Sequence, residues 1–241
     1  MISVWGKGNA SKALAKALGV RRNRKNADVI IRYGVPVREN LQTDPRGRKV
    51  INKIDAIRRA SNKYKTLVIL KEAGVRVPKF SRDYRDLDGC KLIFGRSDYH
   101  SKGTDIIVHN TEEWGADTMV HSSDYNSDYY IEYLKSKAEY RYHVAFGKVI
   151  LPTKKVLAEG ETDDTLIRNH QDGKWRQVTC VETPRFSEAC IKAVASLGLD
   201  FGAVDFLNVD KEAVILEVNT AAGLEVDNRL EAYKNAIISV V

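Results

Sequence analysis

Gly202-Ala203-Val204-Asp205-Phe206-Leu207 and, after a short polar break, Val214-Ile215-Leu216-Glu217-Val218-Asn219-Thr220-Ala221-Ala222-Gly223-Leu224-Glu225 decide how this chain is read. Both stretches are apolar, β-prone runs, yet each carries acidic or amide oxygens where a core residue is expected. Glu217 and Asn219 are two residues apart, so a strand points them to one face. Asp205 sits on the neighbouring run. Three hard oxygen donors on one sheet face suit Mg²⁺, which takes carboxylates together with substrate phosphates at about 2.0–2.1 Å. The plainer alternative is a strand pair with a solvated polar edge, but polar edge residues rarely interrupt two adjacent apolar runs in this way.

Outward from these runs, the 241 residues and 43% hydrophobic composition suffice for one large domain or two small ones. No stretch of 18 or more apolar residues is present, so no membrane span and no membrane partner are expected. Met1-Ile2-Ser3-Val4-Trp5-Gly6 has neither a basic flank nor a long apolar core, so no secretory signal is expected either. Cys90, Cys180 and Cys190 lack C-x-x-C spacing and read as reduced structural thiols of a cytoplasmic protein. The formal charge of +7 favours anionic partners, a nucleoside triphosphate foremost. Two basic clusters, Arg21-Arg22-Asn23-Arg24-Lys25 and Arg46-Gly47-Arg48-Lys49, are either solvated loops or nucleic-acid contacts.

Residues 2–5 read as a strand, Asn9 to Leu18 as a helix stopped by Gly19, and Val29 to Gly34 as a second buried strand. Between the first two, Gly6-Lys7-Gly8 is a strand-to-helix turn rather than a dinucleotide fingerprint, whose third glycine is missing. Residues 38–49 are polar and read as a linker. Ile54 to Ala73 is predicted as one or two helices closed by Gly74, with an extended segment from Val75 to Phe80. Strand-like runs follow at Lys91–Phe94, Asp105–His109, Tyr129–Leu134, Tyr140–Phe146 and Lys148–Leu151. Residues 158–174 read as loop, Phe186 to Leu197 as a helix, and Arg229 to Val240 as a closing helix. The pattern predicts an α+β protein with mostly antiparallel sheets. Its expected division is a short N-terminal α/β segment at 1–48 and a main domain at 49–241. The main domain splits into a lid-bearing part at about 80–135 and a metal-binding part at about 136–241.

A Mg²⁺–nucleotide site also needs cations for phosphates, an apolar slot for the base and an acid for the ribose. The run Gly95-Arg96-Ser97-Asp98-Tyr99-His100-Ser101-Lys102-Gly103-Thr104 lies between two strand-like runs. It reads either as a loop closing over phosphates or as a plain hairpin loop. Glu132, at the end of an extended run, and Glu139, seven residues on, read either as base and ribose contacts or as ordinary surface acids. His100, His143 and His170 match no zinc spacing; His143 is expected to be structural, and the other two are substrate or phosphate contacts at most.

Taken in order, these pieces resemble the ATP-grasp ligases, such as D-alanine–D-alanine ligase, glutathione synthetase and the enzymes that add glutamate to a ribosomal protein. The resemblance runs from about Ile51 to the C-terminus. It opens on Ile51-Asn52-Lys53-Ile54-Asp55-Ala56-Ile57, Asn62-Lys63-Tyr64-Lys65-Thr66-Leu67 and Gly74-Val75-Arg76-Val77-Pro78. It implies an ATP-grasp fold, two α+β subdomains clasping ATP. By position it implies Lys63 and Arg96 (or Lys91) as phosphate-binding cations, and Ser101 and Gly103 as part of the glycine-rich loop. Glu132, Tyr133 and Leu134 fall on the adenine hinge, Glu139 on the ribose acid and Lys155 on a nucleotide contact. Asp205, Glu217 and Asn219 fall on the metal ligands. Some members place an arginine two residues before the metal aspartate, where this chain has Ala203. Ile167-Arg168-Asn169-His170 resembles the segment that replaces it, which implies Arg168 as the residue holding the transferred phosphate, with Arg141 assisting.

The implied reaction joins a carboxylate to an amine through an acylphosphate, using ATP and a pair of Mg²⁺ ions for which Mn²⁺ substitutes in such sites. The implied partners are ATP, a carboxylate, an amine and an acceptor that is a small amino acid, a peptide, a protein or a nucleic acid; a homodimer is one oligomeric option. Short chains of this style also resemble bacteriophage-borne ones. Two other readings stay open at this point: a nucleotide-binding module that has lost ligation, and a nucleic-acid-binding protein with a regulatory ATP site.

Overall fold

The computed structural model describes residues 1–35, 47–99, 106–110, 127–136, 138–162, 168, 174–224 and 228–241. Along the first of these run β1 (Ile2–Trp5), α1 (Asn9–Ala17), β2 (Arg21–Arg22), β3 (Val29–Arg32) and β4 (Lys49–Ile51). The four strands form one parallel sheet in the order β2-β1-β3-β4. The sheet therefore takes in residues 49–51, just past the division read from sequence. Gly6 ends β1 against the neighbouring chain: a Cβ there would stand 1.7 Å from the Tyr33 carbonyl oxygen. Backbone cannot yield at that distance, so Gly6→Ala is expected to cost about 3 kcal/mol of stability. Urea unfolding of the variant measures this.

The chain continues through α2 (Ile54–Ser61), α3 (Lys63–Glu72), β5 (Phe80–Ser81), a 3₁₀ turn at Tyr84–Leu87, β6 (Leu92–Arg96), β7 (Ile107–Asn110) and β8 (Tyr129–Glu132). The region predicted as one or two helices is thus two. Asn62 caps α3 by accepting the Lys65 N–H at 2.8 Å, and Gly74 closes it at φ +69°. Strands β5 to β8 make an antiparallel sheet in the order β5-β8-β6-β7. Of the extended segment read from Val75 onward, only its end pairs as a strand, β5.

The largest sheet follows: β9 (Glu139–Ala145), β10 (Lys148–Leu157), β11 (Trp175–Thr179), α4 (Pro184–Ser196), β12 (Phe201–Val209) and β13 (Glu212–Asn219), with α5 (Arg229–Ile238) closing the chain. Its order is β11-β10-β9-β12-β13, antiparallel throughout. Two tight hairpins join its strands, Phe146-Gly147 and Asp210-Lys211, each with two positive φ values, as a two-residue turn requires.

One face of this sheet packs Tyr142, Val144, Val204, Phe206, Ile215 and Val218 against α2, α3 and α4. The other face carries the polar residues, because side chains alternate along each strand. At one end of the sheet Phe201 stacks on Tyr33, and Tyr233 of α5 meets both rings edge-on. This contact seats the N-terminal sheet beside the polar face. Tyr33 Oη donates to the Ala222 carbonyl at 2.5 Å, three residues past Asn219. Asn52 stitches the same corner: its amide accepts from the Asp200 and Phe201 N–H groups and donates to the Phe201 carbonyl. No disulfide forms among the described residues, and none of their helices is long and apolar enough to cross a membrane.

Candidate functional site

Strand register brings the sequence-predicted metal ligands together. Asp205 of β12 lies directly across from Glu217 of β13 on one side and from Arg141 of β9 on the other. A β-bulge falls between Asp205 and Phe206, where Phe206 pairs with Ile215 and leaves Leu216 extra. The bulge turns two residues that a regular strand would align onto opposite faces: Ile215 goes into the core and Glu217 into the site.

Asn219 Nδ2 donates to Glu217 Oε1 at 2.7 Å and to Asp205 Oδ2 at 3.2 Å. Lys63, the first residue of α3, lies 3.1 Å from Glu217 Oε2 and 3.4 Å from Asn219 Oδ1. Arg141 grips both oxygens of Asp205, Nε at 2.5 Å and Nη2 at 2.6 Å. Two carboxylates and an amide are thus held between two cations. Lys63 is 7% exposed, so it is no solvated helix lysine.

Burial pushes the Glu217 carboxyl up, but Lys63 and the hydrogen bond from Asn219 outweigh it, and Arg141 adds to them. The balance holds Glu217 well below the usual carboxylate range, so it is charged at neutral pH. The donor set is two carboxylates and one amide oxygen, and among the described residues no group of three or more His, Cys, Asp or Glu side chains is built to hold a metal by itself. Such a set fits Mg²⁺, which keeps places for phosphates and water, rather than an ion caged by protein alone.

A second polar group lies along the same face. Lys155 of β10 forms an ion pair with Glu139 of β9 and donates to the Arg168 carbonyl at 2.5 Å. Burial raises the Glu139 carboxyl, and the charge of Lys155 opposes that rise. Arg168 Nη2 donates to the Ser136 carbonyl at 2.6 Å, and its guanidinium lies 5.0 Å from the Trp175 ring centre. The described contacts of Arg168 are therefore with this group; Arg141 is the arginine placed at Asp205.

Glu132, Tyr133 and Leu134 link the two antiparallel sheets and are half-buried. Glu132 exchanges backbone and side-chain hydrogen bonds with Lys79, its N–H donating to the Lys79 carbonyl at 2.8 Å and its Oε2 accepting the Lys79 N–H at 3.2 Å. Arg96 ends β6 half-buried, whereas Lys91 is exposed. Ser101 and Gly103, with His100, Asn169 and His170, lie outside the described residues.

Sequence reasoning passed over the residues that seat Lys63. The Asp98 carbonyl accepts the Lys63 N–H at 2.8 Å, and the Asp98 carboxylate takes Asn62 Nδ2 at 3.1 Å and both ends of the Arg82 fork at 2.6 and 2.9 Å. Arg82 also lies 3.8 Å from the Tyr64 ring centre. The helix-capping pattern at Asn62 was the signal that could have found this group.

His143, two residues along β9 from Arg141, is fully buried with Nδ1 3.2 Å from Tyr233 Oη. Burial, then Arg229 and Arg141, push its imidazole from the ordinary 6.5 down to about 3. A neutral buried histidine must charge in acid, so the folded state loses stability as pH falls below 6.5, by about 1.4 kcal/mol per pH unit until about pH 3. His143→Phe is expected to flatten this part of the pH profile in thermal melts; an unchanged profile would remove His143 as its source.

No protein-family model matches the chain. It is 26% identical over 200 residues to a probable alpha-L-glutamate ligase of Maridesulfovibrio salexigens, covering 76% of this chain and 63% of that protein. It is likewise 26% identical over 204 residues to a probable alpha-L-glutamate ligase of Halorhodospira halophila, covering 80% and 65%. The chain thus spans less than two thirds of the length of these relatives. Among solved structures, the ATP-grasp ligase PsnB complexed with minimal precursor, Mg and ADP superposes with a TM-score of 0.72 at 14% identity, over 99% of this chain and 96% of that one. D-alanine–D-alanine ligase from Bacillus anthracis complexed with ATP superposes with a TM-score of 0.63, also at 14% identity, over 92% and 86%. The chain has the ATP-grasp fold.

Proposed function

We propose that this ATP-grasp chain is an ATP-dependent ligase that joins a carboxylate to an amine. The observation that carries the reading is the convergence of Asp205, Glu217 and Asn219 on one sheet face, flanked by Lys63 and Arg141. The curated relatives of the same chain are named as glutamate ligases, which supports an amino acid or a peptide as substrate.

In this reading Asp205, Glu217 and Asn219 Oδ1 would hold Mg²⁺, two ions with Mn²⁺ as a substitute, and the bound metal would supply charge neutralisation for the triphosphate. Lys63 and Arg96 bind phosphate oxygens. Glu132, Tyr133 and Leu134 border the adenine, and Glu139 with Lys155 faces the ribose. A substrate carboxylate oxygen attacks the γ-phosphorus and ADP leaves. The amine then attacks the acyl carbon of the resulting acylphosphate, phosphate leaves with the C–O bonding pair, and the amine nitrogen gives up a proton. Arg141, held at Asp205 in this structure, would assist at the transferring phosphoryl group. Arg168 stabilises the same group from the other end of the face. The protein's contribution is positioning and electrostatic stabilisation.

The test is ADP release from Mg²⁺-ATP across a panel of amino acids and acidic peptides, with mass spectrometry of the products. A mass gain equal to one condensation, dependent on both a carboxylate and an amine, is the expected result. Tight ATP binding with no turnover on any pair would leave a nucleotide-binding module instead.

A further inference from the structure

The charge of the chain is unevenly divided. Residues 1–51 hold twelve lysines and arginines against three acids, whereas the remaining residues hold 27 against 29. The whole positive excess therefore belongs to the small N-terminal unit.

The fold gathers part of it on one edge. Strand β2, Arg21–Arg22, is an outer strand of the parallel sheet and among the described residues pairs with β1 alone. The Ser3 hydroxyl donates to the Arg21 carbonyl at 2.9 Å and accepts the Arg24 N–H at 2.9 Å, closing the chain just after β2 into a tight turn. Trp5 Nε1 donates to the Arg24 carbonyl at 3.3 Å. Arg48, from the other basic cluster, donates to the Lys25 carbonyl. Two clusters separated by more than twenty positions in sequence thus meet, held by backbone oxygens and a serine.

None of Arg21, Arg22, Arg24, Lys25 and Arg48 forms an ion pair among the described residues. Their side-chain hydrogen bonds go to uncharged oxygens: Arg22 to the Gly6 carbonyl, Arg24 to Asn26 Oδ1 and Arg48 to the Lys25 carbonyl. Asp28 is bonded to the Met1 ammonium at 2.6 Å, and the Arg48 charge also acts on it without forming an ion pair. Elsewhere on the surface cations sit beside acids, as in Arg58–Asp55, Arg76–Glu212, Arg82–Asp98, Arg85–Asp83 and Lys234–Glu231. Like charges held within about one Debye length repel, about 10 Å at 0.1 M salt, and the cost is offset when an anionic partner lies against them.

We propose that the Arg21–Lys25 turn with Arg48 is a docking surface for an acidic polypeptide. Two observations select a polypeptide over a nucleic acid. Among the described residues the patch offers no exposed ring for base stacking, since Trp5 is half-buried with its N–H bonded to the turn. The outer edge of β2, which pairs with no further strand among the described residues, also offers backbone groups to which an extended peptide can add. The choice rests further on the ligase reading, in which a carboxylate-rich chain carries both the docking charges and the reacting group.

The experiment is fluorescence anisotropy of the full chain with a labelled peptide of about ten glutamates, and with single- and double-stranded DNA of similar charge. Wild type is expected to bind the peptide in low salt and release it in high salt, with the triple variant R21E/K25E/R48E weaker by about tenfold or more. The neutral variant R21S/K25S, melting as wild type does, is expected to lie between them. Binding of neither probe, or peptide binding that the variants leave unchanged, would overturn the proposal. DNA binding tighter than peptide binding and lost in the variants would overturn it in favour of nucleic acid. Because the readout needs no turnover, failure of the ligase reading shows separately, as absent ADP release.

Discussion

Glu217→Gln is expected to lower ATP turnover by about a thousandfold or more while leaving the fold intact. Glutamine has the shape of glutamate, so Asn219 Nδ2 keeps an oxygen to bond at the Glu217 position. What disappears is one negative charge between Lys63 and Asp205. Two consequences follow at once. A divalent cation loses one of two charged oxygens, and Lys63 loses the group that holds it 3.1 Å away and aimed across the site. The glutamine amide has no proton to lose at any accessible pH, so raising the pH cannot rescue the variant. ADP release at saturating Mg²⁺-ATP measures the effect. Turnover within tenfold of wild type would remove Glu217 from the metal set.

The second large effect is on stability. Arg141 and Asp205 are 16% and 6% exposed and share two hydrogen bonds, so Arg141→Met leaves a buried carboxylate facing Glu217 with one cation fewer. Removing one partner of such a pair costs about 3–5 kcal/mol. In the metal-free protein this cost is expected in full. Mg²⁺-ADP is expected to recover much of it, because a cation that replaces Arg141 at Asp205 binds only the folded state; ligand at a hundredfold excess over its dissociation constant contributes about 2.7 kcal/mol. Thermal melts with and without Mg²⁺-ADP read both numbers. Equal stabilisation of wild type and variant would mean that Asp205 and the metal do not meet.

Much of the site was legible because strand periodicity is simple. Glu217 and Asn219 lie two apart, and the structure places both on the face that carries Asp205. The helices from Ile54 to Ala73 and from Phe186 to Leu197 were legible from their apolar spacing, the first also from Gly74. Strands β2, β4 and β11 were not. Arg21-Arg22, Lys49-Val50-Ile51 and Trp175-Arg176-Gln177-Val178-Thr179 are strands because β1, β3 and β10 offer them free edges, and no residue's own preference records a neighbour's edge. The place of Arg141 was half legible. Glu139-Tyr140-Arg141-Tyr142-His143 alternates polar and aromatic residues, which assigns a face; which acid meets Arg141 depends on the register of β9 against β12. The bulge was invisible in the sequence. An unbroken alternation would have placed Ile215 beside Glu217 on the polar face, and only the pairing of Phe206 with Ile215 shows otherwise.

That bulge also sets how the chain length of β13 can change. Loss of a residue from a paired strand inverts every side chain on one side of the gap, exchanging core for site. Leu216 is the exception, because it is the residue without a partner. Its deletion would restore regular pairing and keep Ile215 and Glu217 on the faces they already occupy. Loss of Val218 would instead carry Asn219 into the core. Within this strand, then, a single codon can be lost at the bulge with the two-faced pattern preserved.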